Sequence, residues 1–442
     1  MRTARPDGPP GSPVDDGEEV ASAPGTPGDA PPAGFRHPWL YRLLVVVLAS
    51  ALCVAVLEAG FRIAGYEPIY AVYSKPEIFW QRDPLLGWSL EPGAAGTYVG
   101  PRPFPVAFRA DVRINSLGLR GSEVAGRPPP GGRVLVLGDS QAAAFEVDEA
   151  QSYAGLAAGR LTERAGRAVE VVNGGVRGYG TDQAYLLYTE RLRRLRPDVV
   201  VFHASANDPE DDTTLHRMRR PFGKPAFALA DDGSLDLVGA PVPDYPFCSL
   251  YRLDESYKVQ RVDGMRARTL CLVQTRLTDH SAVLSFVTAR LQTNPRLIWQ
   301  LNRLGTSDRQ ETYIPPPPEE GGPSVEGPSD DAAPPAPPPP GETAQPQVSP
   351  PLDSAHRLTS ALIRTLARGV REDGASFVLL GNAADLAALD GPAFARDGIA
   401  VVLVDDAIGA DQTAFRFAND GHLNPAGHDR VAALLADRLD LP

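Results

Sequence analysis

Arg133-Val-Leu-Val-Leu-Gly-Asp-Ser140 is the stretch that decides the fold. Four consecutive apolar residues, Val134 to Leu137, run into a glycine and then into a short polar turn. An apolar run of this length ending on a turn glycine predicts a strand buried on both faces, as in the centre of a parallel sheet. Parallel α/β sheets place their chemistry at the carboxyl ends of such strands. Ser140 stands at that end. Taken alone it also fits a helix N-cap, a place where serine is common.

The chain on either side supports the parallel sheet. After Ser140 a helix is expected over Ser152 to Arg164 and a short strand over Ala168 to Val172. A second helix fits Thr181 to Leu195, with Tyr185, Leu186, Tyr188 and Leu192 at helical spacing, and a second buried strand fits Asp198 to His203. Further on, helix Ser354 to Arg368, strands Ser376 to Leu380 and Ile399 to Val404, and helix Pro425 to Leu439 complete the alternation. Alternating elements of this kind make a parallel α/β domain. Arg191, Arg193, Arg194 and Arg196 read as cations closing a helix, favoured there by its dipole.

Three strand ends carry polar groups suited to catalysis. They are Gly138-Asp139-Ser140, the glycine-rich Asn173-Gly-Gly-Val-Arg-Gly178-Tyr-Gly180, and Ala204-Ser205-Ala206-Asn207-Asp208. A loop before the last helix adds Asn419-Asp420-Gly421-His422-Leu423-Asn424-Pro425-Ala426-Gly427-His428. A serine hydroxyl needs a neighbouring base to become a nucleophile. His422 is the candidate base and Asp420 the candidate orienting acid. Acyl transfer also needs donors aimed at the developing oxyanion, for which the candidates are the amides of Ser140 and Gly178 and the side chain of Asn207. Each motif has a plainer reading: turn glycines, an Asx turn at Asn207, and a helix entry at His422 with Pro425 in the first turn. His203 reads as a core histidine, His428 as a packing or surface residue of the last helix, and Asp139 as a structural acceptor around the turn.

Composition sets the remaining organisation. The chain has 442 residues, with 23 of its 45 prolines concentrated in two places. Residues 1–37 and 314–352 hold few large apolar groups, so burial there cannot offset ordering entropy, and both are expected to be disordered. The net charge of −12 argues against a nucleic-acid partner. Leu43 to Leu57 is an uninterrupted apolar or small run; residues 38–62 give the roughly twenty residues needed to cross a bilayer. A long acidic tail precedes it and no small-residue cleavage site follows, so an uncleaved single-pass anchor is expected rather than a signal peptide. Arg36 and Arg42 on the amino side favour that side facing the cytoplasm and the large domain outside. Cys53 lies in the anchor, leaving Cys248 and Cys271 as an even pair. They fit a disulfide in an oxidising compartment, and equally two unrelated buried thiols. No histidine–cysteine spacing suggests a metal, and no cofactor is expected.

The four blocks, in this order, resemble those of the SGNH hydrolases, the GDSL esterase/lipase superfamily. The family's serine falls on Ser140, its glycine on Gly178, its asparagine on Asn207 and its histidine on His422 in His-x-Asn-x-x-Gly. The resemblance covers about Val134 to Asp208 and Ser354 to Leu441. Pro84 to Arg120, with Gly87-Trp88 and Asn115-Ser-Leu-Gly-Leu-Arg120, is similar to the lead-in of membrane-anchored bacterial members. It implies a three-layer α/β/α sandwich with a parallel, flavodoxin-like sheet. It further implies a lead-in over 66–130 and a hydrolase domain over 131–442 interrupted by an insertion over 209–352. Within that insertion, residues 209–313, with Tyr245, Phe247, Tyr251 and helices near His280 to Leu291 and Pro295 to Leu304, fit a cap over the cleft or a brace. The implied activity is a serine esterase acting on ester-bearing small molecules or polysaccharides, with O-acetyl groups of envelope glycans as the sharper expectation. An O-acetyltransferase or an idle glycan-binding scaffold are the alternatives. Three positions depart from the family. Asn419 stands where an Asp-x-x-His acid would be, so Asp420 makes an Asp-x-His, as in alginate-type O-acetyltransferases, with Asp405 and Asp406 as outside candidates. Ser205 replaces a glycine in the third block, and Gln141 replaces the usual Leu or Phe after the nucleophile.

Overall fold

The computed structural model describes residues 38–66, 68, 79–100, 107–217, 222–246, 248–262, 265–278, 280–292, 354–418 and 420–441. Both Pro-rich segments expected to be disordered, Phe247, Asn419 and the helix expected near Pro295 to Leu304 lie outside them. The chain divides into two compact units, one ending at Val56 and one beginning at Leu57.

Helix α1 (Pro38–Ile63) is apolar over 25 residues from Trp39 to Ile63, long enough to cross a membrane. The lead-in follows as two antiparallel pairs, β1 (Gln81–Asp83) with β2 (Gly87–Ser89) and β3 (Ala95–Gly100) with β4 (Phe108–Arg113). Then come β5 (Arg133–Gly138), α2 (Ser140–Ala143), α3 (Tyr153–Ala165), β6 (Glu170–Asn173), α4 (Thr181–Leu187), β7 (Val199–His203) and α5 (Asp208–Thr213). The insertion carries β8 (Ala226–Leu229) paired with β9 (Leu235–Val238), β10 (Tyr251–Leu253) paired with β11 (Val259–Arg261), and helices α6 (Met265–Val273) and α7 (Ala282–Gln292). The domain closes with α8 (Ser354–Glu372), β12 (Ser376–Gly381), α9 (Ala383–Ala388), α10 (Gly391–Arg396), β13 (Ala400–Leu403), α11 (Asp405–Ile408) and α12 (Pro425–Arg438).

Five strands form one parallel sheet in the order β13-β12-β7-β5-β6. In chain order that is 2-1-3-4-5 read from the β6 edge, the flavodoxin-like arrangement. Strand side chains alternate between faces, and here both faces are covered. Leu135, Leu137, Val200, Phe202, Phe377 and Leu379 pack on one side with α8 residues such as Leu362 and Leu366. Val134, Val136, Val199, Val201, Val378 and Leu380 pack on the other with Tyr153 and Leu161 of α3 and Val431 and Leu435 of α12. This explains why β5 reads as a continuous apolar run rather than an alternating one.

Several element bounds differ from expectation. The strand expected from Ala168 begins at Glu170. The helix expected to run from Thr181 to Leu195 is α-helical only to Leu187, then passes through a π turn (Tyr188–Leu192) and a 3₁₀ turn (Arg193–Leu195). Its arginines do more than face a dipole: Arg191 reaches Asp83 of the lead-in at 2.5 Å, and Arg193 pairs with Asp373 beyond α8. Cys248 and Cys271 form a disulfide that ties the start of the β10 hairpin to α6. The lead-in shares the main core, since Phe79, Trp80, Trp88, Tyr98 and Phe108 are buried in the same cluster as the sheet.

Candidate active site

Ser140 is the first helical residue of α2, not its cap. Asp139 takes that role, its side chain accepting the Gln141 N–H at 2.8 Å. Asp139 also accepts Ser205 Oγ at 2.9 Å, and Ser140 Oγ lies 3.4 Å from its other oxygen. The serine that replaces the third block's glycine therefore ties the β7 end to the turn that carries Ser140.

The second block presses against this turn. Asn173 donates to Ala142 O at 2.9 Å and accepts the Gly175 N–H at 2.9 Å. A Cβ on Gly175 would fall 2.5 Å from Ala143 N and 2.7 Å from Ala142 C, so only glycine lets the two backbones meet. Gly178 has φ +81°, and a Cβ there would lie 2.9 Å from an Arg217 guanidinium nitrogen. Asn207 ends the third block and donates one amide hydrogen to Asp211 Oδ2 at 2.6 Å. A side-chain amide has two such hydrogens, and among the described residues the second meets no acceptor. Arg217 Nη1 holds the same Asp211 oxygen at 2.8 Å, which brings a cation beside two of the three expected oxyanion donors. Burial pushes the Asp211 carboxyl up to about 6, against the pull of Arg217 and Asn207.

The histidine arrives on a tight loop. Phe417 N donates to His422 O at 2.9 Å, Arg416 and Leu423 form an antiparallel bridge, and Asn424 caps α12 through Gly427 N at 3.0 Å. Arg416 reaches Gly421 O at 2.6 Å and Gln141 Oε1 at 3.4 Å. Arg416 thus links the unusual Gln141, the residue after Ser140, to Gly421, the residue before His422. His422 Nδ1 is hydrogen-bonded to Asp420 Oδ1. The Asp-x-His spacing suffices to bring carboxylate and imidazole together. Asp405 instead accepts the Ala383 N–H at 2.6 Å, and Asp406 lies 3.8 Å from Arg438. His422 Nε2 is buried and has no hydrogen-bond partner among the described residues.

Glu146, which the sequence did not single out, also faces the imidazole. It is fully buried, with one oxygen paired to Arg177 and lying 3.6 Å from His422 Nδ1. Burial opposes protonation of His422, but Glu146 and Asp420 outweigh it and raise its pKa above the ordinary histidine value. Burial likewise works against the Asp420 carboxylate, yet His422 and Arg177 hold its pKa below the usual range. Arg177 is backed by the lead-in: its guanidinium stacks 5.0 Å over the Tyr98 ring, and Trp88 Nε1 donates to its carbonyl at 3.4 Å. From the same segment, buried Arg120 donates to the carbonyls of Ala143, Ala144 and Val147, closing the carboxyl end of α2. Phe108 of β4 touches Phe417 of the histidine loop, ring centroids 5.1 Å apart. Glu146 lies past the first motif and Arg177 inside the second block, just before Gly178, and no local pattern gives either a role; only the fold brings them to His422.

The other histidines take structural positions. His203 is buried against Tyr153 OH at 3.2 Å, and burial lowers its pKa to about 4. His428 is buried, accepts the Tyr153 N–H at 3.2 Å and is lowered by burial to about 3. Glu146, Asp420 and His422 offer ligand atoms within 4.8 Å of one another. A divalent cation there would meet the Arg177 guanidinium already paired to Glu146, and His422 Nδ1 is taken by Asp420, so these residues fit a metal poorly.

A hydroxyl and a glycine-rich amide turn thus stand at the carboxyl ends of neighbouring strands of a flavodoxin-like sheet, and an imidazole–carboxylate pair lies on the loop that Arg416 joins to them. Residues 136–430 match the GDSL-like Lipase/Acylhydrolase family, and the chain belongs to it. It is an enzyme of the hydrolase/esterase type. No curated protein matches the chain. Similar solved structures include LAE5, an alpha/beta hydrolase from the metagenome of Lake Arreo, Spain, at 13% identity, covering 69% of this chain and 94% of its own, with TM-score 0.32. TesA is 14% identical over 69% of this chain and 95% of its own, TM-score 0.32. A catalytic mutant of Axe2, an acetylxylan esterase from Geobacillus stearothermophilus, is 10% identical over 71% and 95%, TM-score 0.31.

Proposed function

We propose that this protein is a membrane-anchored serine esterase that removes O-acyl groups, O-acetyl above all, from cell-envelope glycans. Ser140 Oγ attacks the ester carbonyl while His422 Nε2 takes its proton and Asp420 holds the Nδ1 side of the ring. The Ser140 and Gly178 amides and the free Asn207 hydrogen receive the oxyanion. His422 returns the proton to the departing sugar oxygen, leaving an acyl–Ser140 ester, which water then hydrolyses by the same steps. The observation that carries this reading is His422: its Nδ1 is held by Asp420, and its Nε2 is buried without a partner among the described residues. A buried unpartnered nitrogen is costly, and a serine proton would satisfy it. The apolar α1 and the Cys248–Cys271 disulfide support a catalytic domain on the oxidising side of the membrane.

Fluorophosphonate labelling and aryl-acetate turnover test the assignment. Wild type labels and turns over, whereas Ser140→Ala does neither; undiminished turnover in that variant refutes it. Transfer of the acyl group to a second sugar hydroxyl is the alternative, favoured by the Asp420-x-His422 spacing. Acetylated polysaccharide with and without an acceptor glycan separates the two by whether free acetate or acetylated acceptor accumulates. An idle glycan-binding scaffold would bind the polysaccharide without forming an acyl-enzyme.

A further inference from the structure

Helix α6, continued by a π turn over Gln274–Thr278, and helix α7 are built inside out for a water-soluble hairpin. Their buried positions are Cys271, Thr275, Thr278, Ala282, Val283 and Ser285, mostly small or hydroxylated. Their large apolar side chains point outward: Leu270 51% exposed, Val273 47%, Leu277 54%, Leu284 39% and Val287 44%. Leu270, Val273 and Leu277 follow one another at three- and four-residue spacing, as do Leu284 and Val287, so each set forms a stripe on one helix face. A helix in water buries such a stripe. Small and hydroxylated residues at the helix contact with large apolar ones outside is the pattern of helices packed in lipid.

The hairpin is tied to the end of the anchor. Glu58 of α1 accepts Ser281 Oγ at 2.8 Å, Ala282 N at 2.9 Å and Val283 N at 3.1 Å, capping α7, while Arg62 donates to His280 O at 2.9 Å. Phe61 and Phe286 pack with ring centroids 4.8 Å apart. Arg62 also pairs with Glu58 at 2.7 Å, so a carboxylate that would be costly at this depth is fully engaged. The run from Met265 to Thr278 and the 11 residues of α7 are each too short to span a bilayer. Arg276 and Arg290 are exposed on the same segments, where cations favour anionic headgroups, and Arg290 stacks 5.3 Å over the Phe286 ring.

We propose that α6, its π turn and α7, stapled to the domain through Cys248–Cys271, form a membrane-embedded module lying in the headgroup–acyl boundary beside the Leu57–Ile63 end of α1 rather than over the active-site cleft. Its occupant is the bilayer that α1 enters, because Glu58 and Phe61, which hold it, are themselves within the apolar span. By fixing the catalytic domain at two points, it would set the height and orientation of the site above the membrane and restrict substrates to those lying close to the lipid surface.

The proposal rests on α1 being an anchor, and the test separates the two. The full chain is reconstituted in phosphatidylcholine–phosphatidylglycerol nanodiscs carrying one environment-sensitive thiol label. The sites are native Cys53, or Leu277→Cys, Val287→Cys or Leu237→Cys in a Cys53→Ala chain with the disulfide intact. Doxyl-labelled lipid is expected to remove most of the emission at 53, 277 and 287 and to leave 237, on the β8–β9 hairpin, to aqueous iodide. Iodide quenching at 277 and 287 with lipid quenching at 53 overturns the hairpin and leaves the anchor standing. Protection of 277 and 287 from both quenchers means that a second copy or another protein covers the face, and overturns it as well. Absence of lipid quenching at 53 removes the anchor and the hairpin proposal together. Unchanged aryl-ester turnover in the labelled chains shows that they are folded.

Discussion

Gly175→Ala is the sharpest test of how the second block supports Ser140, the proposed nucleophile. The new methyl would stand 2.5 Å from Ala143 N, about 0.9 Å inside the 3.4 Å at which ordinary contact begins, and 2.7 Å from Ala142 C. Both obstacles are backbone, so neither can rotate away; α2 and the 173–178 turn must separate. Overpacking of this kind costs about 1–3 kcal/mol, and the cost appears as a lower melting temperature. The larger effect is on rate. A displacement approaching 1 Å of a catalytic group costs about 10²-fold, so kcat/KM for an aryl acetate should fall about a hundredfold, with a parallel loss in the rate of fluorophosphonate labelling. Gly159→Ala is the control: its Cβ meets nothing within 4 Å, and in a helix the change is expected to be neutral or slightly stabilising. Melting that falls while kcat/KM and labelling stay at the wild-type level would refute the claim that the contact positions Ser140.

Further outcomes follow from the charges and the braces. Because Glu146 and Asp420 raise the His422 pKa, kcat/KM should climb with pH through a value above about 6.5, the ordinary histidine value; Glu146→Gln should move that limb to lower pH, and an unmoved profile would remove Glu146 from the site. The same shifts set stability. The contribution of His422 is full below its unfolded pKa and is lost as pH rises through its folded one, whereas that of Asp420 is present above its unfolded pKa and lost as pH falls through its folded one. Arg120→Ala should destabilise the domain by about 3 kcal/mol or more in chemical denaturation, since it strips a buried cation from three carbonyls. Replacing Cys248 and Cys271 by alanine opens a loop of sequence separation 23 and should cost about 3 kcal/mol by chain entropy; in the native chain, alkylation after reduction should add two labelled cysteines seen by mass.

Much of the architecture was legible without coordinates, for a physical reason. A strand buried on both faces has to be apolar throughout, so Val134 to Leu137 announced the sheet centre, and the four blocks fell at strand or helix edges where glycine, asparagine and histidine can face a ligand. Helix ends were less legible. Tyr188 to Leu195 keeps helical spacing, but Tyr188 bonds Asp373 at 2.8 Å and Arg193 pairs with the same carboxylate, and the chain there passes from α to π and 3₁₀ turns.

The chain by itself determined the parallel α/β class, the apolar helix long enough to cross a membrane, and the choice of Ser140, Gly178, Asn207 and His422 as candidates. These depend on local pattern: periodicity, a run of apolar residues, and motif order. Only the tertiary structure decided the rest. It brought Asp420 rather than Asp405 or Asp406 to His422, set Glu146 and Arg177 behind the imidazole, laid Arg217 over Gly178, and joined Cys248 to Cys271. It also turned the apolar faces of α6 and α7 outward. Such pairings join residues far apart in the chain or choose among equivalent neighbours, and their energy comes from burial and charge that exist only once the sheet, the lead-in and the loops have packed together.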